Sequence, residues 1–379
     1  MNKAFGTTSV GVLAALLLFS IVAGAAPWPV YRGHASGNAI AAEPFRDPLV
    51  ASWVLEMAHP PQPTWPLPSE ELPRMHDDNA YHVVAGDGLV FLGSYETGMV
   101  RAIDAASGVM RWSFYADGPV RFAPTYAEGK LYFGSDDGYV YCVDAATGKS
   151  LWRYRMGPSE ERVIGNGHMI SLWPVRCSLL VDNGQVLCVA GVFPYEGIYV
   201  CALDPEDGSV IWRNDTIGDR GHELDFGGIV PHGYLVASDE LLYVPSARAM
   251  PAAFDRKDGS FRFFASTYGK NGGSWTLVAG DKLFAGSDDS GIPRKFAYDA
   301  ATGDKVEDPL QTLDARDVVI DGDVVYAVTR SGAVCLDKGD GAKLEQRWKA
   351  PVMDATTLLL APNALVVGAL GVVYGLDPE

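Results

Sequence analysis

Short runs of apolar residues recur along the chain, and a polar turn follows each run. In the stretch Gly138–Tyr154, an apolar and aromatic run predicts a strand that is buried on both faces. Asp144 and Gly148 then supply the side-chain acceptor and the positive φ of a tight turn. The return strand carries Trp152, which is large enough to fill a seam between two packed sheets. This pattern predicts antiparallel strand pairs joined by short turns.

The same Asp, Gly and Trp spacing recurs before and after this stretch. Cys142 takes the place of the small Ala that lies two residues before the Asp in the full copies. Weaker copies of the pattern contain Asp255, Asp299, Asp337 and Asp377. The repeated aspartates lie roughly 40 to 60 residues apart, which is the period of a propeller blade. The three strongest copies are Asp104, Gly108 and Trp112; Asp144, Gly148 and Trp152; and Asp204, Gly208 and Trp212.

We therefore predict an all-β fold, a β-propeller of four-stranded antiparallel blades. The repeats indicate seven blades, with eight as the alternative count. The last unit has only three strands before Glu379, and Ala51–Met57 forms an isolated strand pattern with Trp53 placed like the tryptophan of a return strand. We predict that Ala51–Met57 completes the last blade and closes the ring, which would remove both sheet edges. The alternative is that the chain is a fragment of a longer protein.

The domain organisation follows from this pattern. Residues 1–26 resemble a secretory signal peptide, with an apolar stretch too short for a comfortable span; an uncleaved anchor is the alternative. Residues 27–80 form an N-terminal segment with the closing strand and a proline-rich linker, and residues 81–379 carry the repeats. We expect a periplasmic or secreted protein with no integral membrane span after signal removal. The net charge of -17 makes nucleic-acid binding unlikely.

Two long connections, Met156–Pro174 and Asn214–Pro231, are expected on one face of the disc. Long loops on one rim are where a propeller usually holds its binding site. They carry Arg162, His168, Arg220, His222, Glu223 and Asp225.

When the inner strands are aligned, polar residues recur at their starts and should point at the mouth of the central channel. We predict a site for a small anionic or polar ligand there, since Arg binds carboxylates and phosphates bidentately; the alternative is that these residues pair with local carboxylates or cap the loops. The residues are Asn79, Arg121, Arg176, His232 and Arg316.

The repeated Ala-x-Asp-x-x-x-Gly-x-x-x-Trp pattern resembles the tryptophan-docking motif of PQQ-like β-propellers. That family includes quinoprotein dehydrogenases and outer-membrane assembly lipoproteins of the BamB type. The opening Trp28–Gly33 is similar to the start of secreted bacterial PQQ-like repeat proteins, including many from planctomycetes, as are Arg162–Gly167 and Trp173–Arg176. The resemblance covers nearly the whole chain after residue 26, and it is specific for the fold and weak for function.

The resemblance implies two kinds of function. A quinoprotein dehydrogenase would hold PQQ with a calcium ion, an Asp base and often a disulfide between adjacent cysteines, and this chain has no adjacent cysteines and no segment that matches the calcium ligands or the base. We therefore predict no cofactor, no metal site and no catalytic residues. The leading expectation is a non-catalytic scaffold that binds an unidentified protein or ligand on the loop-bearing face. The alternatives are a PQQ-dependent oxidoreductase with a diverged centre and a BamB-like assembly factor.

The five cysteines do not indicate a redox or haem site. Cys142 and Cys335 occupy a small core position of the repeat, and no C-x-x-C-H motif is present. Cys177 and Cys188 fall on neighbouring strands and share a face, which permits a disulfide without requiring one. The odd number leaves at least one thiol unpaired or intermolecular in an oxidising compartment.

Overall fold

In the described residues, seven antiparallel sheets of three or four strands, each made of strands consecutive in sequence, surround a central channel, and an eighth sheet is a two-stranded hairpin. The computed structural model describes residues 26–45, 51–61, 80–165, 167–218, 228–246, 251–265, 275–287, 294–339 and 343–379. The sheets are the blades of a seven-bladed β-propeller, which confirms the predicted fold class. Two short 3-10 helices, Pro194–Glu196 and Pro309–Thr312, are the helical elements within these ranges.

The strands are numbered in chain order, and each of the first six blades has four. Blade 1 contains β1 to β4, which are Val83–Gly86, Leu89–Gly93, Met99–Asp104 and Met110–Tyr115. Blade 2 contains β5 to β8, which are Thr125–Ala127, Lys130–Gly134, Tyr139–Asp144 and Ser150–Arg155. A separate hairpin follows, made of β9 and β10, which are Arg162–Gly165 and His168–Ser171. Blade 3 contains β11 to β14, which are Leu180–Asp182, Gln185–Ala190, Tyr199–Leu203 and Val210–Asn214.

The remaining blades continue the same order. Blade 4 contains β15 to β18, which are Val236–Ala237, Leu241–Val244, Ala252–Asp255 and Phe261–Phe264. Blade 5 contains β19 to β22, which are Trp275–Ala279, Lys282–Ser287, Arg294–Asp299 and Lys305–Val306. Blade 6 contains β23 to β26, which are Ala315–Asp321, Val324–Thr329, Gly332–Asp337 and Glu345–Ala350. Blade 7 contains β27 to β29, which are Ala355–Ala361, Ala364–Ala369 and Val372–Leu376.

Each tryptophan of the repeat docks onto the turn of the following blade. The indole N–H of Trp112 donates to the carbonyl oxygen of Ala145 over 2.9 Å, in the turn after β7. The ring covers Gly148, where a Cβ would lie 2.6 Å from Trp112. Trp152, Trp212 and Trp348 donate in the same way to carbonyl oxygens of the next blade's turn. The repeat therefore encodes the contact between blades as well as the turn within each blade.

Replacing Gly148 with alanine should destabilise the fold more than replacing Gly129. Both glycines have a positive φ, 71° and 75°, so alanine carries a similar backbone cost of about 1–2 kcal/mol at each. A Cβ at Gly129 meets nothing within 4 Å, whereas at Gly148 it collides with Trp112. We expect Gly148→Ala to cost a further 1–3 kcal/mol or so through overpacking. Urea unfolding of both variants measures the difference, and equal free energies of unfolding would contradict the docking contact.

Six apolar clusters fill the interfaces between successive blades, from blades 1 and 2 to blades 6 and 7. Within the described ranges, no such cluster joins blade 7 to blade 1. This seventh interface is bridged near the axis instead. Trp28 packs against the cluster of blades 6 and 7, and its backbone pairs with Ala85 of β1 through two hydrogen bonds of 2.8 Å.

Residues 28–41, called the N-terminal arm below, run around the inside of the ring. The arm is hydrogen-bonded to the innermost strand of six blades, because an innermost strand has an open edge that faces the channel. Val30 supplies the link to blade 3 by packing in the cluster of blades 3 and 4. The inner-strand amides that donate to carbonyl oxygens of the arm are those of Ala85, Tyr126, Ala237, Val278 and Leu360.

Arg32 fastens the arm to blade 6. Its guanidinium is buried and donates to the Asp317 carboxylate over 2.5 Å and to the Val318 carbonyl oxygen over 2.6 Å. A third donation, to the carbonyl oxygen of Gly37, folds the arm on itself. Burial is the largest single effect and lowers the pKa of the Arg32 guanidinium, but Asp317 and Tyr31 together outweigh it and raise that pKa. The arm is thus held by ionic and backbone contacts together.

The last blade differs from the predicted four strands. In the described residues its sheet has three strands, and 51–57 contains no strand. Trp53 nevertheless donates to the carbonyl oxygen of Ala105 over 2.9 Å and covers Gly108, as the docking tryptophans do elsewhere. Trp53 therefore docks like the tryptophan of a return strand, while the predicted strand pairing with β29 is absent from the described residues. Ring closure comes from the N-terminal arm, which the sequence pattern did not reveal.

The predicted signal peptide lies outside the described residues, apart from Ala26, and most of the proline-rich linker does too. No helix in the described part of the chain has the length and apolarity needed to cross a bilayer.

Candidate interaction site on the loop-bearing face

Strand alternation places the connections between blades on one face of the disc and the docking turns on the other. The connection after blade 2 is described except at position 166, and it contains the β9–β10 hairpin. The connection after blade 3 is described only at its two ends. Of the residues expected to carry a site, Asn79, Arg220, His222, Glu223 and Asp225 lie outside the described residues.

Asp136 is the centre of the loop-bearing face between blades 1, 2 and 3. Its carboxylate is fully buried and accepts from Arg121 Nε over 2.8 Å and from Arg176 Nε and Nη2 over 3.1 Å each. Its backbone N–H donates to Pro119, and its carbonyl oxygen accepts from Ser171 at the base of the hairpin. One residue of the β6–β7 turn thereby ties the connection between blades 1 and 2 to the connection between blades 2 and 3.

The electrostatics of this cluster favour ionised Asp136. Burial alone would raise the pKa of its carboxyl, but the guanidinium groups of Arg176 and Arg121 outweigh burial and lower it. The neighbouring Asp137 has no such cation, and burial raises the pKa of that carboxyl although Tyr141 donates to it over 2.6 Å. Arg121 and Arg176 both bind the Asp136 carboxylate, which lies between them, and this is the pairing with a local carboxylate that the sequence analysis gave as the alternative. Binding of an external anion at these residues stays a prediction.

The other aligned residues are spread around the channel. The ring of His232 lies edge-on to Phe122, with centroids 5.5 Å apart. Arg316 is exposed, donates to the carbonyl oxygen of Ala355 over 3.2 Å and lines the central cavity. Arg121, Arg176 and His232 precede the inner strands rather than lying on them. Arg121 and Arg176 bind Asp136 from the connections that lead to their strands, so they lie outside the strands themselves.

The β9–β10 hairpin presents an apolar pair to solvent. Ile164 and Met169 lie directly opposite each other in the register, and their side chains are 82% and 55% exposed. The hairpin is anchored at both ends: the Ser171 N–H donates to the carbonyl oxygen of Asp136 at the base, and beside the turn the ring of His168 lies edge-on to Tyr95 with centroids 5.1 Å apart. An exposed apolar pair on an anchored hairpin is suited to contact with another molecule.

A second apolar feature lies on the adjoining loop of blade 3. Phe193 and Tyr195 stack on each other with centroids 5.6 Å apart, and they are 42% and 69% exposed. Trp173, which is buried beside the hairpin, donates its indole N–H to the carbonyl oxygen of Glu196 over 2.6 Å. The hairpin segment and the aromatic loop are therefore joined by a direct bond.

A cavity of about 620 Å³ lies along the axis and extends toward the interface of blades 7 and 1. The N-terminal arm forms part of its wall through Trp28, Tyr31 and Arg32. The Tyr31 ring stacks on Tyr234 with centroids 3.6 Å apart. The arm therefore takes up part of the space that a ring of seven blades encloses.

The residues of this channel do not fit PQQ with calcium. Among the described residues, Asp317 supplies the carboxylate that lines the cavity, and its two oxygens already accept from Arg32, Thr357, and the backbone of Val318 and Leu358. In the described ranges, no group of three or more His, Cys, Asp or Glu side chains is arranged to hold a metal ion. We therefore assign no quinone chemistry to this channel.

The cysteines serve the core. Cys188 on β12 lies opposite Cys201 on β13 in the strand register, and both thiols are free. The sulfur of Cys188 lies 3.5 Å from the sulfur of Met156. No disulfide links it to Cys177. Cys142 and Cys335 are fully buried, and burial raises the pKa of the Cys142 thiol to about 12. Thiols with such a pKa are poor nucleophiles at neutral pH.

Sequence reasoning missed Asp136, the apolar hairpin pair and the arm. The hairpin had a usable signal, because Asn166-Gly167 stands between two short apolar runs and is typical of a two-residue hairpin turn. Asp136 had no signal of its own, since an aspartate in a turn is explained by the turn. Its role depends on two arginines from other segments.

Comparisons with known proteins agree with this fold. A family model described as outer membrane protein assembly factor BamB matches residues 74–198 and 196–357. The dehydrogenase subunit of a quinone alcohol dehydrogenase from Gluconacetobacter polyoxogenes is 31% identical over 152 residues, which are 37% of this chain and 20% of that protein. The outer membrane protein assembly factor BamB of Yersinia pestis is 28% identical over 149 residues, which are 36% of this chain and 35% of that protein.

The matched region thus spans between a fifth and about a third of the length of these relatives. Among solved structures, BamB from Moraxella catarrhalis has a TM-score of 0.53 at 19% identity, covering 76% of this chain and 81% of that chain. This likeness concerns the fold alone. Because the family model matches well over half of the chain, the protein belongs to the family of PQQ-like β-propellers whose model is described as outer membrane protein assembly factor BamB.

Proposed function

We propose that this protein is a non-catalytic, extracytoplasmic scaffold that binds a partner protein on its loop-bearing face. The observation that carries the proposal is the anchored β9–β10 hairpin, which exposes the cross-strand pair Ile164 and Met169. Neighbouring apolar side chains displayed on a rigid element lose little conformational entropy on binding, so they are efficient contacts.

The aromatic loop enlarges this surface. Phe193 and Tyr195 add stacked rings beside the hairpin, and aromatic residues are enriched among the side chains that dominate interface energies. Together the four side chains form a patch, called the hairpin patch below: Ile164, Met169, Phe193 and Tyr195.

Charge indicates the kind of partner. The chain has a net charge of -17, and Glu160 and Glu161 are exposed just before the hairpin. A partner with an apolar centre and a basic rim would match both the patch and the surrounding field, since complementary potentials speed association and select partners. We therefore expect binding to weaken as salt concentration rises.

The comparisons are divided between assembly factors and oxidoreductases. The family model and two curated relatives carry the description of an assembly factor, and five curated relatives are quinone-type alcohol dehydrogenases. The scaffold is favoured here because the described channel residues do not fit a quinone with calcium. A periplasmic or secreted location is part of the same proposal, because residues 1–26 have the pattern of a signal peptide.

Replacing Ile164 and Met169 with aspartate should abolish partner binding while preserving the fold. A charge in the centre of an apolar interface is left buried without a counter-ion, so we expect affinity to fall by about 100-fold or more. The measurement is chemical cross-linking in envelope extracts, identification of the partner by mass spectrometry, and titration calorimetry with the purified partner.

The matched control changes Val109 and Met110 to aspartate. These side chains are 58% and 57% exposed but lie at the docking-turn end of blade 1, on the opposite face of the disc. The control should retain full affinity. Equal binding by the Ile164 and Met169 variant, the control and the unchanged protein would overturn the proposal.

A further inference from the structure

One face of blade 7 forms a wall of the central cavity. Thr357, Gly368 and Val373 lie side by side across the sheet, because Gly368 is paired with Thr357 on β27 and with Val373 on β29, and all three line the cavity. The side chains of the alternate residues Leu358 and Val367 point the other way and pack in the cluster of blades 6 and 7. The wall is therefore the side of blade 7 that faces away from blade 6.

This wall is apolar and partly exposed to solvent. Val373 is 66% exposed, and Val83, which lines the cavity from β1 of blade 1, is 45% exposed. The aromatic residues Tyr31 and Trp275 line the same space. The cavity volume of about 620 Å³ is in the range of pockets that bury a small ligand. An apolar ligand placed here would remove these side chains from water, which favours binding.

The described lining of the cavity carries a net positive charge. With histidine neutral, its charged residues are Arg32, Arg316 and Asp317. Arg32 and Asp317 form an ion pair and neutralise each other. Arg316 forms no ion pair with the described residues, and its guanidinium donates to the carbonyl oxygen of Ala355 over 3.2 Å. A positive lining in a chain of net charge -17 favours an anionic ligand at this place.

The neighbouring carboxylate does not compete for Arg316. The oxygens of Asp317 already accept from Arg32, Thr357 and Leu358. The guanidinium of Arg316 has donors left after its bond to the backbone, and its planar fork matches a carboxylate. One cation balances one negative charge, whereas further charges against the apolar wall would lose their hydration without compensation.

We propose that this cavity binds a small molecule with an apolar body and a single carboxylate. The apolar body lies between the wall of blade 7 and Val83 of blade 1, and the carboxylate accepts from the guanidinium of Arg316. The site uses no residue of the hairpin patch, so it is independent of the partner protein proposed above.

Titration calorimetry with naphthoate, an aromatic monocarboxylate, tests the proposal, and the uncharged naphthamide is its matched control. We expect a single naphthoate site with an affinity about tenfold higher than for naphthamide, because the amide lacks the charge that strengthens the hydrogen bonds from Arg316. Methyl NMR locates the probe, and the signals of Val83 and Val373 should shift when naphthoate binds.

Two substitutions separate the contributions of charge and shape. Arg316→Ala should lower the affinity for naphthoate about tenfold, to that for naphthamide. Val373→Trp fills the cavity and should weaken the binding of both probes. The matched controls are Arg330→Ala, an exposed arginine of blade 6 that pairs with Asp314, and Val372→Trp, whose side chain lies on the opposite side of β29. Neither of these described residues lines the cavity, so both controls should bind naphthoate as the unchanged protein does.

Three results would overturn the proposal. Equal affinities for naphthoate and naphthamide would show that no cation selects the ligand. Unchanged naphthoate binding by Arg316→Ala and Val373→Trp proteins with normal thermal unfolding would show that the probe binds elsewhere. Methyl shifts that avoid Val83 and Val373, or no binding at millimolar naphthoate, would show that the cavity does not accept such a ligand.

Discussion

Asp136→Asn is expected to lower the free energy of unfolding by about 3–5 kcal/mol. The substitution keeps the side-chain shape but leaves two guanidinium groups, those of Arg121 and Arg176, without their shared carboxylate in a buried site. Removing one partner of a buried ion pair costs this much because the remaining charge is desolvated and uncompensated. Urea unfolding at neutral pH measures the effect.

The control is Asp258→Asn, a fully exposed carboxylate in a docking turn, which should change stability little. A similarly small effect at Asp136 would contradict the role of the cluster.

The stability that Asp136 contributes should disappear in acid. Its pKa is lowered in the folded protein by Arg176 and Arg121, so ionisation favours the folded state. The contribution is complete above the unfolded-state pKa of about 3.9 and is lost as pH falls from there through the lower, folded-state pKa. The difference between the unchanged protein and Asp136→Asn should therefore shrink below about pH 4. A difference that stays constant to pH 2 or so would contradict the ionised cluster.

Arg32→Ala is expected to destabilise the ring by a similar amount, about 3–5 kcal/mol. The substitution removes three donations, to Asp317, Val318 and Gly37, and leaves the buried Asp317 without its cation. The arm should detach more readily as a result, which opens the interface between blades 7 and 1. Thermal unfolding and limited proteolysis of the arm measure the two consequences.

Arg111→Ala provides the matched control for this substitution. Arg111 also pairs with an aspartate, Asp104, but on the exposed face of a docking turn. Exposed ion pairs contribute little because water and salt screen them. If Arg32→Ala and Arg111→Ala had equally small effects, the arm would not be a structural part of the ring.

Much of the fold could be predicted because its information is local and repeated. The Asp of each docking motif accepts from its own turn, as when Ser107 donates to Asp104 over 2.9 Å, and the Gly and Trp of the motif meet across neighbouring blades. Turn pairs such as Asp87-Gly88 adopt the positive φ values, 49° and 73°, that their residue types favour. Because the same signals recur once in each blade, counting them predicted the number of blades.

The site and the ring closure could not be predicted in the same way because their contacts are distant in sequence. Arg32 meets Asp317 across the channel, and Asn38 bonds Ile320 through its side-chain amide. The arm has no strand periodicity, since it crosses one inner strand after another and does not run along any of them. Trp53 was placed correctly because its contact follows the repeat, whereas the pairing of its segment with β29 depends on geometry that the pattern does not contain.

These contacts also determine which polar groups of the described channel remain available to other molecules. A channel that holds the chain's own arm uses its polar groups to close the ring. Asp317 shows this, because both of its carboxylate oxygens already accept hydrogen bonds. One surface that remains open in the described residues is the hairpin patch. We propose that it suits a polypeptide partner better than a small substrate, because its side chains are exposed and apolar.

Amide hydrogen exchange at the innermost strands tests the central claim, that the N-terminal arm closes the ring from within the channel. The amides of Ala85, Tyr126, Ala237, Val278 and Leu360 donate to carbonyl oxygens of the arm; without the arm they would face the open channel. We predict strong protection at all five in the native protein and its loss when residues 27–41 are deleted. Rapid exchange at these five amides in the intact, folded protein would contradict the claim.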